Sequence, residues 1–371
     1  MQRAMYRLLR PLLFALPPHA AHTLAELALA PLEHAGPLRA LVRARAAPAD
    51  ERLTTRVMGL TFPSPIGLAG GFDKNARRAR ALAALGFGFV ELGTVTAEPQ
   101  AANPRPNLFR LPADRALVNR LGFPNEGAEA VAARVRRRGG PAAVGVPVGL
   151  SIGKSRSVPL DPIQPAISDY LRSFCAVRGV ADFVVVNVSS PNTQGLRALQ
   201  GAEVARALLG ALAEENQRGP RRPLLVKVAP DLTEEDLDGL LGVVEEIGLD
   251  GVVATNTTIR RDGLATSMAE MERIGAGGLS GPPLRLRSLA MVRRIRARLG
   301  ERAAVIGVGG VEEADHALDL IRAGADLVQL YTGFVYGGPG VPSAIARGLS
   351  DRVARAGARS IADLRGADLV P

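Results

Sequence analysis

The sequence is poor in cysteine and in aromatic residues: its 371 residues include one cysteine, Cys175, no tryptophan and four tyrosines. A single cysteine cannot form an internal disulfide bond, so folding requires no oxidising compartment. The scarcity of aromatic side chains argues against a surface that binds nucleic acid by stacking on its bases, and we expect no nucleic-acid partner. A composition of 47% hydrophobic and 22% charged residues is typical of a globular chain with a large core, and it excludes intrinsic disorder.

Lysine is also scarce. Only Lys74, Lys154 and Lys227 are lysines, although the chain has 46 lysine and arginine residues together and a net charge of +10. Arginine therefore serves wherever a general surface cation is enough, whereas a compact ammonium fits where the guanidinium fork is too wide. The three lysines are thus candidate site residues, and the positive charge suits an anionic membrane surface.

No stretch of the sequence reaches the 18 apolar residues that a spanning helix needs. At the N-terminus, however, Arg3, Arg7 and Arg10 share one helical face, and the leucines of segment 8–16 share another. A second apolar stretch follows the Pro17-Pro18 break, so we expect residues 1–46 to form a pair of amphipathic helices in the membrane interface. The run is short, broken by prolines and without a persuasive cleavage site, which argues against a signal peptide. A helical cap packed on the rest of the protein is the alternative.

Short apolar runs alternate with helix-length segments along the remaining chain, residues 47–371. The runs are 66–70, 87–93, 144–150, 182–188, 224–228, 251–255, 304–308 and 327–331. Nearly continuous apolar strands that alternate with amphipathic helices predict a parallel sheet. Eight such strands predict an α/β fold with a single closed (β/α)₈ TIM barrel, preceded by the N-terminal helical extension.

Polar residues follow the predicted strands at their C-terminal ends, where barrels of this kind place their chemistry. All three lysines lie there, as do Asn187 and Asn256, whose amides can donate and accept hydrogen bonds to a planar polar ligand. A glycine pair, Gly309-Gly310, follows the seventh predicted strand, and a single glycine follows the eighth, in Thr332-Gly333. Because barrels commonly bind phosphate at these two loops, we expect a phosphorylated cofactor.

The sequence offers little for other kinds of cofactor. Its four histidines, His19, His22, His34 and His316, are absent from the strand ends, and no metal-ligand spacing is present, so we expect no metal. It has neither a P-loop nor a Rossmann fingerprint. A flavin phosphate fits better, and Ser190 is the strand-end hydroxyl within a rigid Ser-Ser-Pro-Asn turn.

Seven segments together carry a resemblance to a known family. They are 70–74 (GGFDK), 91–96 (ELGTVT), 119–123 (NRLGF), 187–193 (NVSSPNT), 254–258 (ATNTT), 277–281 (GGLSG) and 307–310 (GVGG). In this order, from about residue 50 to residue 340, they closely resemble class 2 dihydroorotate dehydrogenase, the quinone-dependent, membrane-associated enzyme of pyrimidine synthesis.

The resemblance implies an activity and the residues that perform it. Ser190 would be the base that takes a proton from C5 of dihydroorotate, while hydride passes from C6 to N5 of FMN and orotate forms. The residues implied around the substrate are Lys74, Asn119, Arg120, Leu121, Gly122, Phe123, Asn187, Asn192, Asn256 and Thr257. Those implied around FMN are Gly70, Gly71, Lys74, Thr94, Ser151, Asn187, Lys227, Thr255, Gly281, Gly310, Tyr331 and Thr332.

The resemblance also implies a final electron acceptor, ubiquinone or menaquinone, which the N-terminal extension would admit. His22, Arg110 and Tyr331 would lie near it. We therefore expect a monomer, peripheral on the cytoplasmic side of the cell membrane. Two positions depart from the family pattern: Ser151 stands where asparagine is usual, and Gly70 where alanine is frequent. A serine is shorter than asparagine, so Ser151 would need a bridging water to reach the flavin.

Three other functions are compatible with part of the sequence. A flavin barrel that reduces uridine in tRNA and a soluble dihydroorotate dehydrogenase would each need a catalytic cysteine, but Cys175 lies in a predicted helical stretch. A non-enzymatic scaffold on the membrane surface would explain the N-terminal extension. It would leave the lysines and amides at the strand ends without a role.

Overall fold

The computed structural model describes residues 2–46 and 50–369. The residues that follow the predicted boundary at 46, and the side chain of Arg3, lie outside this description. The strands are β1 (Thr55–Val57), β2 (Leu60–Phe62), β3 (Ile66–Leu68), β4 (Phe89–Val95), β5 (Leu108–Leu111), β6 (Ala116–Asn119), β7 (Val148–Ile152), β8 (Phe183–Asn187), β9 (Leu224–Val228), β10 (Gly251–Ala254), β11 (Gly278–Ser280), β12 (Ala304–Val308) and β13 (Leu327–Leu330).

The α-helices lie between and before these strands. They are α1 (Gln2–Ala15), α2 (Pro18–His34), α3 (Gly36–Ala46), α4 (Ala79–Ala84), α5 (Ala128–Arg137), α6 (Gln164–Val177), α7 (Ala202–Gln217), α8 (Glu234–Ile247), α9 (Met268–Ile274), α10 (Arg285–Leu299), α11 (Ala314–Arg322), α12 (Thr332–Gly337) and α13 (Val341–Arg355).

Eight parallel strands close into a barrel in the order β3, β4, β7, β8, β9, β10, β12 and β13. The pairing of β13 with β3, in which Val328 lies opposite Ile66, completes the ring. These strands are buried along their length because helices cover the outside and side chains fill the inside. The predicted (β/α)₈ barrel is confirmed, and each of its eight strands overlaps one of the predicted apolar runs.

An antiparallel hairpin of β1 and β2 closes the N-terminal end of the barrel and was not predicted. Its Phe62 packs edge to face on Phe89, with the ring centroids 5.4 Å apart, and lies 6.5 Å from the ring of Phe183. Neighbouring strand positions Gly67 and Gly149 leave room for these rings, because a Cβ at either glycine would lie 2.3 Å from a phenylalanine carbon. The barrel interior at this end is therefore a packed aromatic cluster.

Three aspartates join neighbouring strands at the same end of the barrel. Asp182, Asp250 and Asp326 each precede a barrel strand and accept a hydrogen bond from a backbone N–H of the strand before it in the ring. The donors are Val148, Leu224 and Val305, each at 2.8 Å. Asp326 also forms ion pairs with Arg296 and Arg365. These carboxylates satisfy strand-end donors that the sheet itself leaves free.

At the opposite, C-terminal end, β5, β6 and β11 form a small antiparallel sheet that was not predicted. Asn119 at the end of β6 lies opposite Gly278 of β11. This pairing brings a segment from the second barrel repeat next to one from the sixth. It thereby forms a side wall above the barrel.

The N-terminal extension consists of α1, α2 and α3, whereas a pair of helices was predicted. The hydroxyl of Tyr6 donates to the carbonyl of Val335 at 2.6 Å, which joins α1 to α12. Buried Glu33 joins α2 to the barrel, since its carboxylate accepts from the Ala81 N–H at 3.1 Å and pairs with Arg138 at 3.0 Å. Many leucines on these helices are exposed, among them Leu8 and Leu12 at 79% and 69%. Within residues 2–46 and 50–369, no helix is long and apolar enough to cross a membrane.

Candidate active site

A cavity that is open to solvent lies at the C-terminal ends of the barrel strands. Nineteen of the 23 predicted site residues line it. They are Gly70, Gly71, Lys74, Thr94, Asn119, Leu121, Gly122, Phe123, Asn187, Ser190, Asn192, Lys227, Thr255, Asn256, Thr257, Gly281, Gly310, Tyr331 and Thr332.

Two predicted residues of the barrel lie outside the cavity lining. Ser151 lies behind Thr94, and their hydroxyl oxygens are 3.0 Å apart. Arg120 turns away: its guanidinium donates to the Ala276 carbonyl at 2.9 Å and stacks 4.8 Å from the centre of the Phe109 ring. Ser151 thus contacts the cavity residue Thr94 from behind, and Arg120 connects the segments that form the side wall.

The structure adds eight lining residues that sequence reasoning missed, which are Ala69, Leu108, Leu117, Ser280, Leu284, Val308, Val311 and Gln329. Gly309 and Gly333, which belong to the two glycine loops expected to bind phosphate, also line the cavity. Gln329 interrupts the apolar run Leu327–Leu330, as Glu91 interrupts Phe89–Val95. A polar residue inside a buried barrel strand is a signal that could have identified both, because burying such a group without a partner is costly.

Ser190 lies in the loop after β8 and is only 5% exposed. Its Oγ accepts a hydrogen bond from the backbone N–H of Asn192 at 3.2 Å. This contact fixes the oxygen and leaves the hydroxyl proton able to point elsewhere. The loop therefore holds a single oriented hydroxyl at the cavity wall.

Asparagine side chains of the same cavity form two hydrogen-bonded groups. Asn187 donates to Thr94 Oγ1 at 3.0 Å and accepts from Asn256 at 3.2 Å. Asn256 also donates to the hydroxyl of buried Ser189 at 3.0 Å. On the side wall, Asn192 donates to Asn119 Oδ1 at 3.0 Å. Each amide is held by a neighbour, so the amide atoms that face the cavity have fixed positions.

Lys74 is the cation on the opposite side of the cavity. Its Nζ donates to the Gly71 carbonyl at 2.6 Å. Burial lowers the pKa of Lys74 to about 8, against the smaller opposing effects of the Asp73 and Glu26 carboxylates. The loop is fixed by Asp73, whose carboxylate accepts from the N–H groups of Arg77 and Arg78 at 2.8 and 2.7 Å.

The floor of the cavity is formed by Lys227 of β9 and Gln329 of β13. Beneath them, the Glu91 carboxylate lies 3.5 Å from Lys227 Nζ and accepts from Gln329 Nε2 at 2.7 Å. The other amide atom of Gln329, Oε1, is buried and has no hydrogen-bond partner among the described residues. A buried acceptor of this kind is costly unless a donor reaches it.

The loops after β12 and β13 form the far end of the cavity. Gly310 has a φ of 69°, and a Cβ at Gly333 would lie 2.0 Å from the Val311 carbonyl oxygen, so each position requires glycine. In the described part of the chain, the N–H groups of Gly310, Thr332 and Gly333 donate to no backbone acceptor. Converging free N–H groups of this kind suit a phosphate.

A row of aromatic rings connects the N-terminal helices with the cavity. The His22 ring on α2 lies 5.6 Å from the Phe72 ring, which lies 5.8 Å from the cavity residue Tyr331. Arg110 lies apart from this row at the junction of α1 and α2, where its guanidinium donates to the Leu16 carbonyl at 2.7 Å. Burial raises the pKa of Tyr331 to about 12, so its ring remains neutral at physiological pH.

Comparisons with known proteins agree on one family. The family described as dihydroorotate dehydrogenase matches residues 52–353. The chain is 52% identical over 333 residues to a dihydroorotate dehydrogenase (quinone) from Thermobifida fusca, covering 89% of this chain and 88% of that protein. It is 50% identical over 366 residues to one from Rhodococcus opacus, covering 99% and 100%. A crystal structure of DHODH from Eimeria tenella in complex with ferulenol has a TM-score of 0.82 and 34% identity, covering 95% of this chain and 96% of that one.

Proposed function

The chain belongs to the quinone-dependent class of the dihydroorotate dehydrogenase family, and on this premise we propose that it oxidises dihydroorotate to orotate with bound FMN and passes the electrons to a membrane quinone. One observation carries the proposal for the site. A buried, oriented serine hydroxyl lies among fixed amides in a cavity whose far end offers free backbone N–H groups. Such a site suits a small planar substrate beside a phosphorylated cofactor.

The residues present fit FMN. Gly310, Thr332 and Gly333 would hold its phosphate, and the floor residues Lys227 and Gln329 would contact the ring system. The unpartnered Oε1 of Gln329 supports this assignment, because a buried acceptor is costly unless a donor reaches it. FMN, when bound, supplies the acceptor for the hydride that leaves C6 of the substrate.

Lys74 and the amides would hold the substrate. An ammonium attracts the carboxylate of dihydroorotate, while Asn187, Asn192 and Asn256 can both donate to and accept from the edges of the pyrimidine ring. Because these amides are already hydrogen-bonded to one another, little side-chain freedom is lost on binding. The site is therefore arranged before the substrate arrives.

Ser190 would take the proton from C5. As this proton arrives at Oγ, the hydroxyl's own proton leaves to water or a neighbouring group, so the serine remains neutral afterwards. The N–H of Asn192 donates to the same oxygen and stabilises the negative charge that develops there during the transfer. The C5–H electron pair forms the new C5–C6 double bond as the hydride departs from C6.

The N-terminal helices, residues 1–46, would bind the membrane and admit the quinone, while residues 47–371 form the catalytic domain. The exposed leucines of α1 and α2 support a peripheral contact with lipid, and we propose the cytoplasmic side of the membrane for it. The ring row from His22 through Phe72 to Tyr331 supports an approach to the cavity along α2. Arg110 would contact the quinone from the α1 junction. We propose ubiquinone or menaquinone as the acceptor and a monomer as the working state.

An absorption spectrum of the purified protein tests the central proposal. The protein is expected to show an oxidised flavin that bleaches when dihydroorotate is added without oxygen and recovers its colour on addition of quinone. A colourless protein, or a flavin that dihydroorotate does not bleach, would contradict the proposal.

A further inference from the structure

Glu91 is a buried acid to which the proposed reaction gives no part. It lies in the middle of β4, is 0% exposed and does not line the cavity. Both of its oxygens nevertheless face residues that do: Oε1 lies 3.5 Å from Lys227 Nζ, and Oε2 lies 2.7 Å from Gln329 Nε2. A carboxylate buried this deeply normally has a counter-charge and hydrogen bonds, and these two residues provide them.

The carboxylate decides which way the Gln329 amide points. An ionised carboxylate can only accept hydrogen bonds, so it selects the NH₂ end of the amide and turns Oε1 the other way. Oε1 is the atom left without a partner in the structure. If the amide were reversed, two acceptors would face each other beneath the floor. Glu91 therefore fixes an acceptor next to the Lys227 cation.

Gly70 provides the space for this arrangement. A Cβ at Gly70 would lie 2.3 Å from Glu91 Oε1, so any larger residue would push the carboxylate from its place between Lys227 and Gln329. Glycine at this position thus leaves free the space that the Glu91 carboxylate occupies. It allows the carboxylate to lie directly under the turn that follows β3.

We infer that Glu91 is a positioning residue that sets the polarity of the cavity floor. Through Lys227 and Gln329 it presents a cation beside a hydrogen-bond acceptor. This pattern is complementary to a flat heterocycle that has an acceptor or anionic atom next to an N–H on one edge. The dione edge of a flavin has these groups, so the inference rests on the proposed function and deepens it.

The affinity for FMN tests the inference independently of turnover. Glu91→Gln keeps the size of the side chain but removes its charge. The new amide can present either its NH₂ group or its oxygen to Gln329, so it no longer selects one orientation of the Gln329 amide. A hydrogen bond to a charged group contributes about 1.5–3 kcal/mol, so we expect FMN binding to weaken about 10- to 100-fold. The measurement is the release of FMN from the holoenzyme, followed by the rise in flavin fluorescence. In a Lys227→Met, Gln329→Met background, the same substitution should change FMN release less than about twofold, because nothing is left for Glu91 to position.

A matched control is Glu33→Gln, which disrupts another buried acid, paired with Arg138 far from the floor. It should lower the melting temperature and leave FMN affinity unchanged. Equal FMN losses from Glu91→Gln in both backgrounds, or a folded Glu91→Gln with wild-type affinity, would overturn the inference. If Glu91→Gln does not fold, Glu91→Asp retains the charge but shortens its reach, and wild-type FMN affinity in that variant would overturn it as well. A wild-type protein that binds no FMN would instead contradict the proposed function.

Discussion

Two adjacent serines have different surroundings in the loop after β8. Ser190 lines the cavity, whereas Ser189 is fully buried and belongs to the amide network. The Ser189 hydroxyl donates to Asn187 Oδ1 at 3.3 Å and accepts from Asn256 Nδ2 at 3.0 Å. One hydroxyl can therefore touch the substrate, and the other holds the residues that do.

Ser190→Ala should slow flavin reduction by dihydroorotate about 10²- to 10⁴-fold, the usual contribution of a positioned proton-transfer group. FMN and orotate should still bind, because the amides and lysines remain. Ser190→Cys should retain part of the activity and shift its pH dependence downward, since a thiol ionises more readily than an alcohol. Stopped-flow bleaching of the flavin measures both variants.

Ser189→Ala is the control for this prediction. It removes two neutral hydrogen bonds that position the amides, so we expect a loss on the order of tenfold, mainly in substrate affinity. Equal and small effects at the two serines would show that the C5 proton leaves through another group.

The pKa of Lys74 predicts how substrate binding responds to pH. Burial lowers this pKa to about 8, so the ammonium is charged below pH 8 and loses its proton as the pH rises through that value. The KM for dihydroorotate should therefore rise above pH 8, by about tenfold per pH unit while kcat changes less. Lys74→Arg should bind more weakly but show no such rise, because arginine stays charged. A wild-type KM that is constant from pH 7 to 10 would contradict this role of Lys74.

At the scale of elements, the N-terminal helices expose apolar surface that the barrel does not cover. Leu8 and Leu12 lie one turn apart on α1, and both are largely exposed. Replacing both with glutamate should strongly reduce binding to anionic vesicles and turnover with a long-chain quinone, because charge is costly to bury in lipid. Bleaching of the flavin by dihydroorotate should be unchanged, since these residues lie outside the cavity lining.

Leu286→Glu on α10 provides the matched control, because Leu286 is 75% exposed and belongs to the barrel. It should change neither vesicle co-sedimentation nor quinone turnover. Vesicle binding that falls equally in both variants would mean that the membrane contact is not specific to α1.

The barrel elements could be predicted from the sequence, but the smaller elements could not. Long, nearly continuous apolar runs such as Phe183–Asn187 have the pattern of buried parallel strands. The strands of the β1–β2 hairpin and of the sheet of β5, β6 and β11 do not stand out as continuous apolar runs. Each has three or four residues, of which at least one is polar: Arg56, Thr61, Arg110, Asn119 and Ser280. The pairing of β6 with β11 also joins segments about 160 residues apart, and no local signal shows such a contact.

The part of the site that lies in the loops after the barrel strands could be predicted, because sequence motifs mark those loops. Ser190, Lys74 and the asparagines lie in strand-end loops and were found. The sequence indicated Glu91 only as part of a motif and Gln329 only as part of the apolar run 327–331, because their role depends on side chains that meet across the barrel interior. The spacing of residues in the sequence does not reveal that Glu91 of β4, Lys227 of β9 and Gln329 of β13 lie in contact inside the barrel.

At the scale of the whole molecule, stability and chemistry occupy opposite ends of the barrel. Asp326 lies at the N-terminal end and is almost completely buried, where it bonds to Val305 N–H and pairs with Arg296 and Arg365. Asp326→Ala leaves these arginines without their buried partner. We expect a loss of about 3–5 kcal/mol of unfolding free energy, measured by thermal or denaturant unfolding.

FMN affinity and flavin bleaching in folded Asp326→Ala should equal those of the wild type, because the cavity is at the other end. Asp262→Ala, which disrupts the exposed pair with Arg260, should leave stability nearly unchanged, because solvent screens an exposed ion pair. An Asp326→Ala variant as stable as Asp262→Ala would show that the aspartate does not hold the strands together.

If the exposed leucines of α1 and α2 bind the membrane as proposed, they also determine which quinone concentration sets the rate of the enzyme. A protein that rests on lipid and receives quinone along α2 encounters its acceptor in the plane of the bilayer. Its rate then depends on the number of quinone molecules per lipid and is insensitive to the volume of surrounding water. Diluting a vesicle suspension with buffer leaves this ratio unchanged, whereas fusion with quinone-free lipid lowers it. On the proposed function, these helices would couple pyrimidine synthesis to the quinone content of the membrane.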